Sequence, residues 1–63
     1  MTQEAKIYTH DERLHISNNM LNYGGSFARS IGQALLVADL LNTRRIEVAF
    51  PELLAKYSAE HWK

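Results

Sequence analysis

The chain has 63 residues, and its seven Lys and Arg residues balance seven Asp and Glu residues to give a formal net charge of zero. This balance argues against a dedicated nucleic-acid binder, because such proteins gain most of their affinity by neutralising phosphates with Lys and Arg. The sequence contains no cysteine, which excludes disulfides and cysteine-bound zinc. A chain of this length buries only about 60% of the surface that it exposes when unfolded. We therefore expect one small domain, 1–63, that is stabilised by oligomerisation and has flexible ends over 1–5 and 60–63.

The apolar residues are too scattered to predict a membrane span or an export signal. The longest uninterrupted apolar stretch covers residues 34–38, far short of the roughly 20 residues that cross a bilayer. The N-terminal segment MTQEAKIYTH contains no apolar core of the kind that a secretory signal carries. We therefore expect a cytoplasmic protein with no membrane partner.

The N-terminal third of the chain supports two predictions. Thr9 followed by Glu12 matches a capping box, which predicts a helix over residues 10–21. The alternative pairs residues 6–9 with residues 13–16 as a β-hairpin. An isolated hairpin is barely stable in water and would have to lie on the helices, so the helix is favoured.

A central amphipathic helix is predicted over residues 27–41. The turn Gly24-Gly25 leads into it, and Ser26 is the expected N-cap. One face of this helix is apolar and is expected to pack in the core. It comprises Phe27, Ile31, Ala34, Leu35, Ala38 and Leu41. Gly32 lies inside the helix at a cost of up to about 1 kcal/mol relative to alanine, which is consistent with a close helix crossing.

A second helical element is predicted over residues 44–58, because Asn42 and Thr43 favour turns and caps over helix interiors. Its apolar residues recur at spacings of three and four and share one face. They are Ile46, Ala49, Phe50, Leu53, Leu54 and Tyr57. Pro51 either kinks this element or begins a further helix at its first position. The two-residue connection sends the second element back against the first, so the predicted fold is all-α, a helical hairpin.

Leu36 and Leu40 fall on the side of the 27–41 helix opposite its apolar core face, beside Arg29. Val48 on the next element also faces away from the predicted core. Contiguous exposed apolar patches mark binding sites, so we predict that these four residues contribute to an interface with another molecule. The alternative is that the N-terminal segment covers the two leucines in an ordinary three-helix core.

Arg44 and Arg45 stand at the start of the second element, where positive charge is mildly unfavourable with the helix dipole. They are expected to pair with Asp39 or to donate to the carbonyl groups that end the first helix. The alternative is an external anion, either a phosphate backbone or an acidic protein surface.

No motif in the sequence predicts catalysis or metal binding. The chain has no HExxH, nucleophile-elbow or phosphate-loop pattern, and a helical hairpin of this size hardly forms the concave pocket that catalysis needs. His10 and His15 are five residues apart, which turns their imidazoles away from each other on a helix, and His61 is remote. We expect surface histidines and no enzymatic activity, cofactor or metal.

The segments NYGGSFAR (22–29), ADLLN (38–42) and AFPELLAKY (49–57) resemble a group of short helical proteins encoded by bacteriophages and prophages. Such proteins commonly carry a YGGSF-like start, an A-D-x-x-N-like helix end and an AFPEL-like closing segment. The resemblance covers residues 23–57 and assigns no chemical role to any residue. It implies a setting in which very small proteins often bind and redirect a larger host or phage protein.

Two functions fit these observations. The first is a protein-binding module that forms a homo-oligomer, with a dimer favoured, and that modulates or inhibits a larger host or phage protein. The second is a helix-turn-helix DNA-binding regulator that places Arg44 and Arg45 at the groove. The first is favoured, because the zero net charge, the scarcity of polar base-reading residues and the presence of Pro51 count against the second.

Overall fold

The computed structural model describes residues 6–59, which form four helices joined by connections of one or two residues. The helices are α1 His10–Tyr23, α2 Ser26–Val37, α3 Leu40–Ala49 and α4 Pro51–Tyr57. This part of the chain contains no strand, so the all-α class is confirmed and the alternative N-terminal β-hairpin is wrong. The ends predicted to be flexible, 1–5 and 60–63, lie outside the described residues.

Helix α1 begins where the capping box predicts. The Thr9 hydroxyl accepts the Glu12 N–H at 3.1 Å, and the Glu12 carboxylate accepts the Thr9 N–H at 2.8 Å. These reciprocal bonds satisfy two amide groups at the helix start. Further along α1, Ile16 and Met20 are fully buried.

The capping box makes the stability of the fold depend on pH. The hydrogen bond from the Thr9 backbone lowers the pKa of Glu12 below its ordinary value of 4.5, and the charge of Lys6 adds to this effect. A carboxyl group whose pKa falls on folding stabilises the folded state above its unfolded-state pKa, and that contribution is lost as the pH falls through the folded value. We therefore expect the melting temperature to decline below pH 4.5, and less steeply in a Glu12→Gln variant. Circular-dichroism melting curves across this range measure the difference, and parallel declines would contradict it.

Helix α2 folds back along α1 through the glycine turn, and the two helices cross very closely at Gly32. A Cβ atom at Gly32 would lie 2.8 Å from the Met20 Cβ and 3.1 Å from the Ser17 carbonyl oxygen. No side chain fits there unless the helices move apart. The close crossing at Gly32 is therefore confirmed.

The sequence predicted Ser26 as the N-cap of α2, but the N-cap is Gly25. Gly25 has extended backbone angles (φ −76°, ψ −173°), and Ser26 is the first helical residue. The Ser26 carbonyl accepts the Ser30 hydroxyl at 3.0 Å. Glycine is itself an acceptable N-cap, so the helix begins one residue earlier than expected.

The predicted 27–41 helix ends early, at Val37, and the chain turns at Ala38 and Asp39. The Asp39 carboxylate accepts the Asn42 N–H at 2.8 Å and thereby caps α3. Aspartate is among the strongest N-cap residues, and here it starts a new helix within an unbroken apolar pattern. The break between the two predicted helices consequently lies before Asn42, which belongs to α3.

Pro51 splits the second predicted element into two helices. Phe50 departs from helical geometry (φ −131°, ψ 53°), and Pro51 is the first residue of α4. A proline is well tolerated at this position because its missing N–H would have no partner there. Leu54 and Tyr57 of α4 are buried against the rest of the fold, and the Asn19 side-chain amide donates to the Tyr57 carbonyl at 2.8 Å.

The core forms on a different face of α2 from the one predicted. Leu35 is buried as expected, but Phe27 and Leu41 are exposed, and the small residues Ala28 and Gly32 face α1 instead. Small residues let two helix backbones approach closely, so more of the surrounding atoms come into contact. The buried apolar residues are Tyr8, Ile16, Met20, Ala28, Leu35, Leu54 and Tyr57.

Candidate protein-interaction surface

Exposed apolar side chains concentrate on the C-terminal end of α2 and on α3. Within the described part of the chain, this region alone contributes five large exposed apolar residues. They are Leu36, Val37, Leu40, Leu41 and Val48. Such a concentration is typical of a surface that contacts another molecule.

Leu36 and Leu40 lie together at the corner where α1, α2 and α3 meet. They are 44% and 71% exposed, and with Leu14 of α1 they line one side of a shallow cavity of about 160 Å³. We call these three leucines the corner patch. The sequence placed Leu36 and Leu40 on one helix. The turn at residues 38–39 puts them on two, and both still reach the same cavity. The N-terminal segment therefore borders these leucines but does not enclose them.

The outer face of α3 carries a second apolar surface. At about 100° per residue, Leu41 and Val48 point in nearly the same direction, and Arg44 and Arg45 lie on either side of them. Leu41 and Val48 are each 61% exposed, and all four side chains line one shallow surface depression. We call these four residues the α3 ridge. Val48 therefore does not share the cavity of Leu36 and Leu40.

A groove of about 600 Å³ runs between α2 and α3. Its lining is mainly apolar, with Asp39, Asn42 and Arg45 as the polar members. The apolar lining residues are Ala34, Val37, Ala38, Ile46, Ala49 and Phe50. The Phe50 ring packs edge to face against the ring of Phe27, with 5.6 Å between their centroids. This contact supports the apolar part of the groove near residue 50.

The inner face of α3 is held by a buried carboxylate that the sequence analysis missed. Glu47 is only 1% exposed, and its Oε2 atom accepts the Tyr8 N–H at 3.0 Å. Its Oε1 atom lies 3.3 Å from Arg44 Nε, close enough for an ion pair but without hydrogen-bond alignment. Burial, followed by the charges of Glu12 and Glu47, raises the pKa of Tyr8. The ion pair between Arg44 and Glu47 could have been predicted from the sequence, because opposite charges three residues apart are neighbours on a helix.

Pairing with Asp39 was one of the two contacts predicted for the arginines of α3, and the structure does not show it. Asp39 is used to cap α3, so Arg44 contacts Glu47 and the Arg45 guanidinium donates to Asn42 Oδ1 at 3.2 Å. The Arg44 side chain is 48% exposed. Both guanidinium groups therefore remain at the surface beside Leu41 and Val48.

Arg29 lies away from both apolar surfaces named above. It lines a polar depression near the start of α2 together with Ser26, Ser30 and Gln33. Since Arg29 and Leu36 are seven residues apart, they share a side of α2 but are separated by about 10 Å along its axis. Arg29 can therefore contact only the outer edge of an interface centred on the corner patch.

We next consider metal ligands and membrane-spanning helices among the described residues. His15 Nε2 lies 3.2 Å from the Asn19 side-chain nitrogen, and no set of three potential metal ligands occurs within residues 6–59. His61 lies outside the described residues. None of the helices in this range has the length and apolar character that crossing a bilayer requires.

The comparisons with known proteins find no similarity. No protein-family model, curated protein or solved structure matches this chain.

Proposed function

We propose that this protein is a small, non-enzymatic binding module that self-associates through the corner patch. The main support is the meeting of Leu36 and Leu40 from adjoining helices at one cavity, where both side chains remain exposed. Removing apolar surface from water contributes roughly 25 cal/mol per Å², and a chain of this size buries only a modest core of its own, so covering these leucines would add to its stability. A second copy is the simplest molecule that would cover these leucines.

A two-fold symmetric dimer suits this geometry. In such a dimer each patch contacts its own counterpart, so Leu36 and Leu40 of one copy would meet the same leucines of the other. The cavity also has polar residues at its margin, among them His10 and Thr43. An apolar centre with a polar margin is the usual composition of a protein interface.

The wider role that we propose is to bind and modulate a larger host or phage protein in the cytoplasm. The resemblance of residues 23–57 to short phage-encoded proteins supports this setting. The groove between α2 and α3 is lined mainly by alanine, valine, isoleucine and phenylalanine side chains, a composition that favours apolar contact over acid–base or nucleophilic chemistry. Binding is therefore the function that this surface supports best.

Self-association predicts a clear result in light scattering coupled to size-exclusion chromatography. Wild type should give twice the 7.2 kDa chain mass, and Leu36→Glu/Leu40→Glu should give the monomer mass. Burying two carboxylates at the interface centre is far more costly than the association can offset. The matched control is Ser26→Glu/Ser30→Glu, which adds the same charge to exposed positions near the start of α2 and should remain dimeric. A monomeric wild type at all concentrations would reject this function.

A DNA-binding regulator is the second candidate, because Arg44 and Arg45 both lie on the outer face of α3, the helix that follows α2 after a two-residue turn. Recognition helices present side chains to bases in this way. Leu41 and Val48 lie between the arginines and offer no hydrogen bonds to bases. Fluorescence anisotropy with duplex DNA tests this candidate. Binding that weakens steeply with salt would favour it, and no binding at low salt would exclude it.

A further inference from the structure

We infer that the α3 ridge is a docking surface for an acidic amphipathic helix of a partner protein. This inference rests on the proposed role as a binding module, but it uses a different set of residues from the corner patch. The ridge joins two exposed apolar side chains, Leu41 and Val48, to a guanidinium group on each side. A partner helix that fits it would present apolar residues between flanking carboxylates.

The ridge is held rigidly from its inner side. Thr43 and Glu47 lie on the opposite face of α3 and are buried. The Glu47 carboxylate joins that face to the backbone of Tyr8, which lies outside the four helices. A surface that is already ordered before binding loses less conformational entropy when the partner docks. The α3 ridge is therefore preorganised for contact along its whole length.

The spacing of the ridge residues matches one side of a helix–helix seam. Leu41 and Val48 are seven residues apart, so they repeat on one side of α3 at the length of a heptad, with an arginine in place of the apolar residue between them. Arg44 and Arg45 lie beside this seam, where charged residues of paired helices select the partner. Two apolar contacts with flanking cations therefore specify both the shape and the charge of the partner.

Charge argues against a second copy as the occupant of the ridge. Two ridges packed on each other would bring the four arginines together, and like charges at an interface are unfavourable. Arg45 is hydrogen-bonded only within its own helix, to Asn42, and no carboxylate pairs with it in residues 6–59. An acidic partner would supply that missing pairing, so the ridge favours a different protein.

The experiment uses a fluorescent synthetic helix with leucines at heptad spacing and glutamates on both sides of them. A control peptide carries lysine in place of each glutamate. Fluorescence anisotropy should show saturable binding of the acidic peptide to the whole protein and at least about tenfold weaker binding of the basic one. Binding of the acidic peptide should weaken with added salt, because the ion pairs are at the surface.

Substitutions in the ridge make the test specific. Leu41→Ala/Val48→Ala should weaken binding of the acidic peptide about tenfold, while Ile7→Ala, which truncates an exposed apolar side chain outside the ridge, should not. Arg45→Glu should remove the preference between the two peptides, because the ridge then carries one cation and one anion, and it leaves the Arg44–Glu47 pair intact. Unchanged melting curves for each variant separate loss of contact from loss of fold.

Three outcomes would overturn the inference. They are equal binding of the two peptides, binding that the ridge substitutions do not alter, and binding of wild type to phosphatidylserine vesicles but not to the acidic peptide. The monomeric Leu36→Glu/Leu40→Glu variant should still bind the acidic peptide. If it does while wild type is also monomeric, self-association is rejected and the ridge inference stands.

Discussion

Replacing Glu47 with alanine should lower the free energy of unfolding by about 3 kcal/mol. The substitution leaves the buried Tyr8 N–H without its acceptor, which costs about 1–3 kcal/mol, and it removes the ion pair with Arg44. Breaking a fully buried pair costs about 3–5 kcal/mol, and the half-exposed position of Arg44 places this case at the lower end. A domain of this size has only about 3–9 kcal/mol of stability in total, so the variant should lose roughly a third of it or more.

Urea unfolding followed by circular dichroism measures this effect, with two further substitutions for comparison. Glu47→Gln keeps an oxygen that can accept the Tyr8 N–H, so it should lose only about 1 kcal/mol. Glu52→Ala removes an exposed carboxylate from α4 and should change stability by no more than about 0.5 kcal/mol. If Glu47→Ala and Glu52→Ala proved equally stable, the Tyr8–Glu47 contact would have no role in holding α3.

Gly32→Ala should lower the free energy of unfolding by about 1 kcal/mol, although alanine is the better helix former by about 1 kcal/mol. The added methyl group would lie 2.8 Å from the Met20 Cβ and 3.1 Å from the Ser17 carbonyl oxygen. Neither atom belongs to the free end of a flexible side chain, so α1 and α2 must separate. Overpacking of this kind costs typically 1–3 kcal/mol, about enough to outweigh the gain in helix propensity.

The control for this prediction is Gly25→Ala, which makes the same chemical change in open space. No atom outside residues 24–26 lies within 4 Å of a Cβ placed at Gly25, and its backbone angles suit an alanine. The loss of a glycine N-cap and the reduced freedom of the unfolded chain should nearly cancel. Urea unfolding of both variants therefore separates steric conflict from glycine removal. Equal stability of the two would contradict the close crossing at Gly32.

The sequence predicted the features that depend on neighbouring residues. The Thr9–Glu12 capping box and the helix start at Pro51 are both local, and both occur in the structure. The turn at residues 38–39 was missed because the apolar spacing continues through it. Asp39 was considered as a charge partner and not as the cap of a new helix.

Features that depend on contacts between distant residues were not predictable from spacing. Apolar periodicity selected the face of α2 with the largest side chains, whereas the fold buries the face on which Ala28 and Gly32 permit close packing. The burial of Glu47 depends on Tyr8, 39 residues away in sequence. Leu36 and Leu40 were correctly placed at the surface, but Leu40 points to a different side of α3 from Val48 and does not share a cavity with it.

The turn at Ala38 and Asp39 lets one helix of ten residues serve two surfaces. Leu40 points into the corner patch, while Leu41, the next residue, points about 100° away and belongs to the ridge. Substitutions that alter one of these surfaces need not touch the other. The corner patch and the α3 ridge can therefore change independently of each other during evolution.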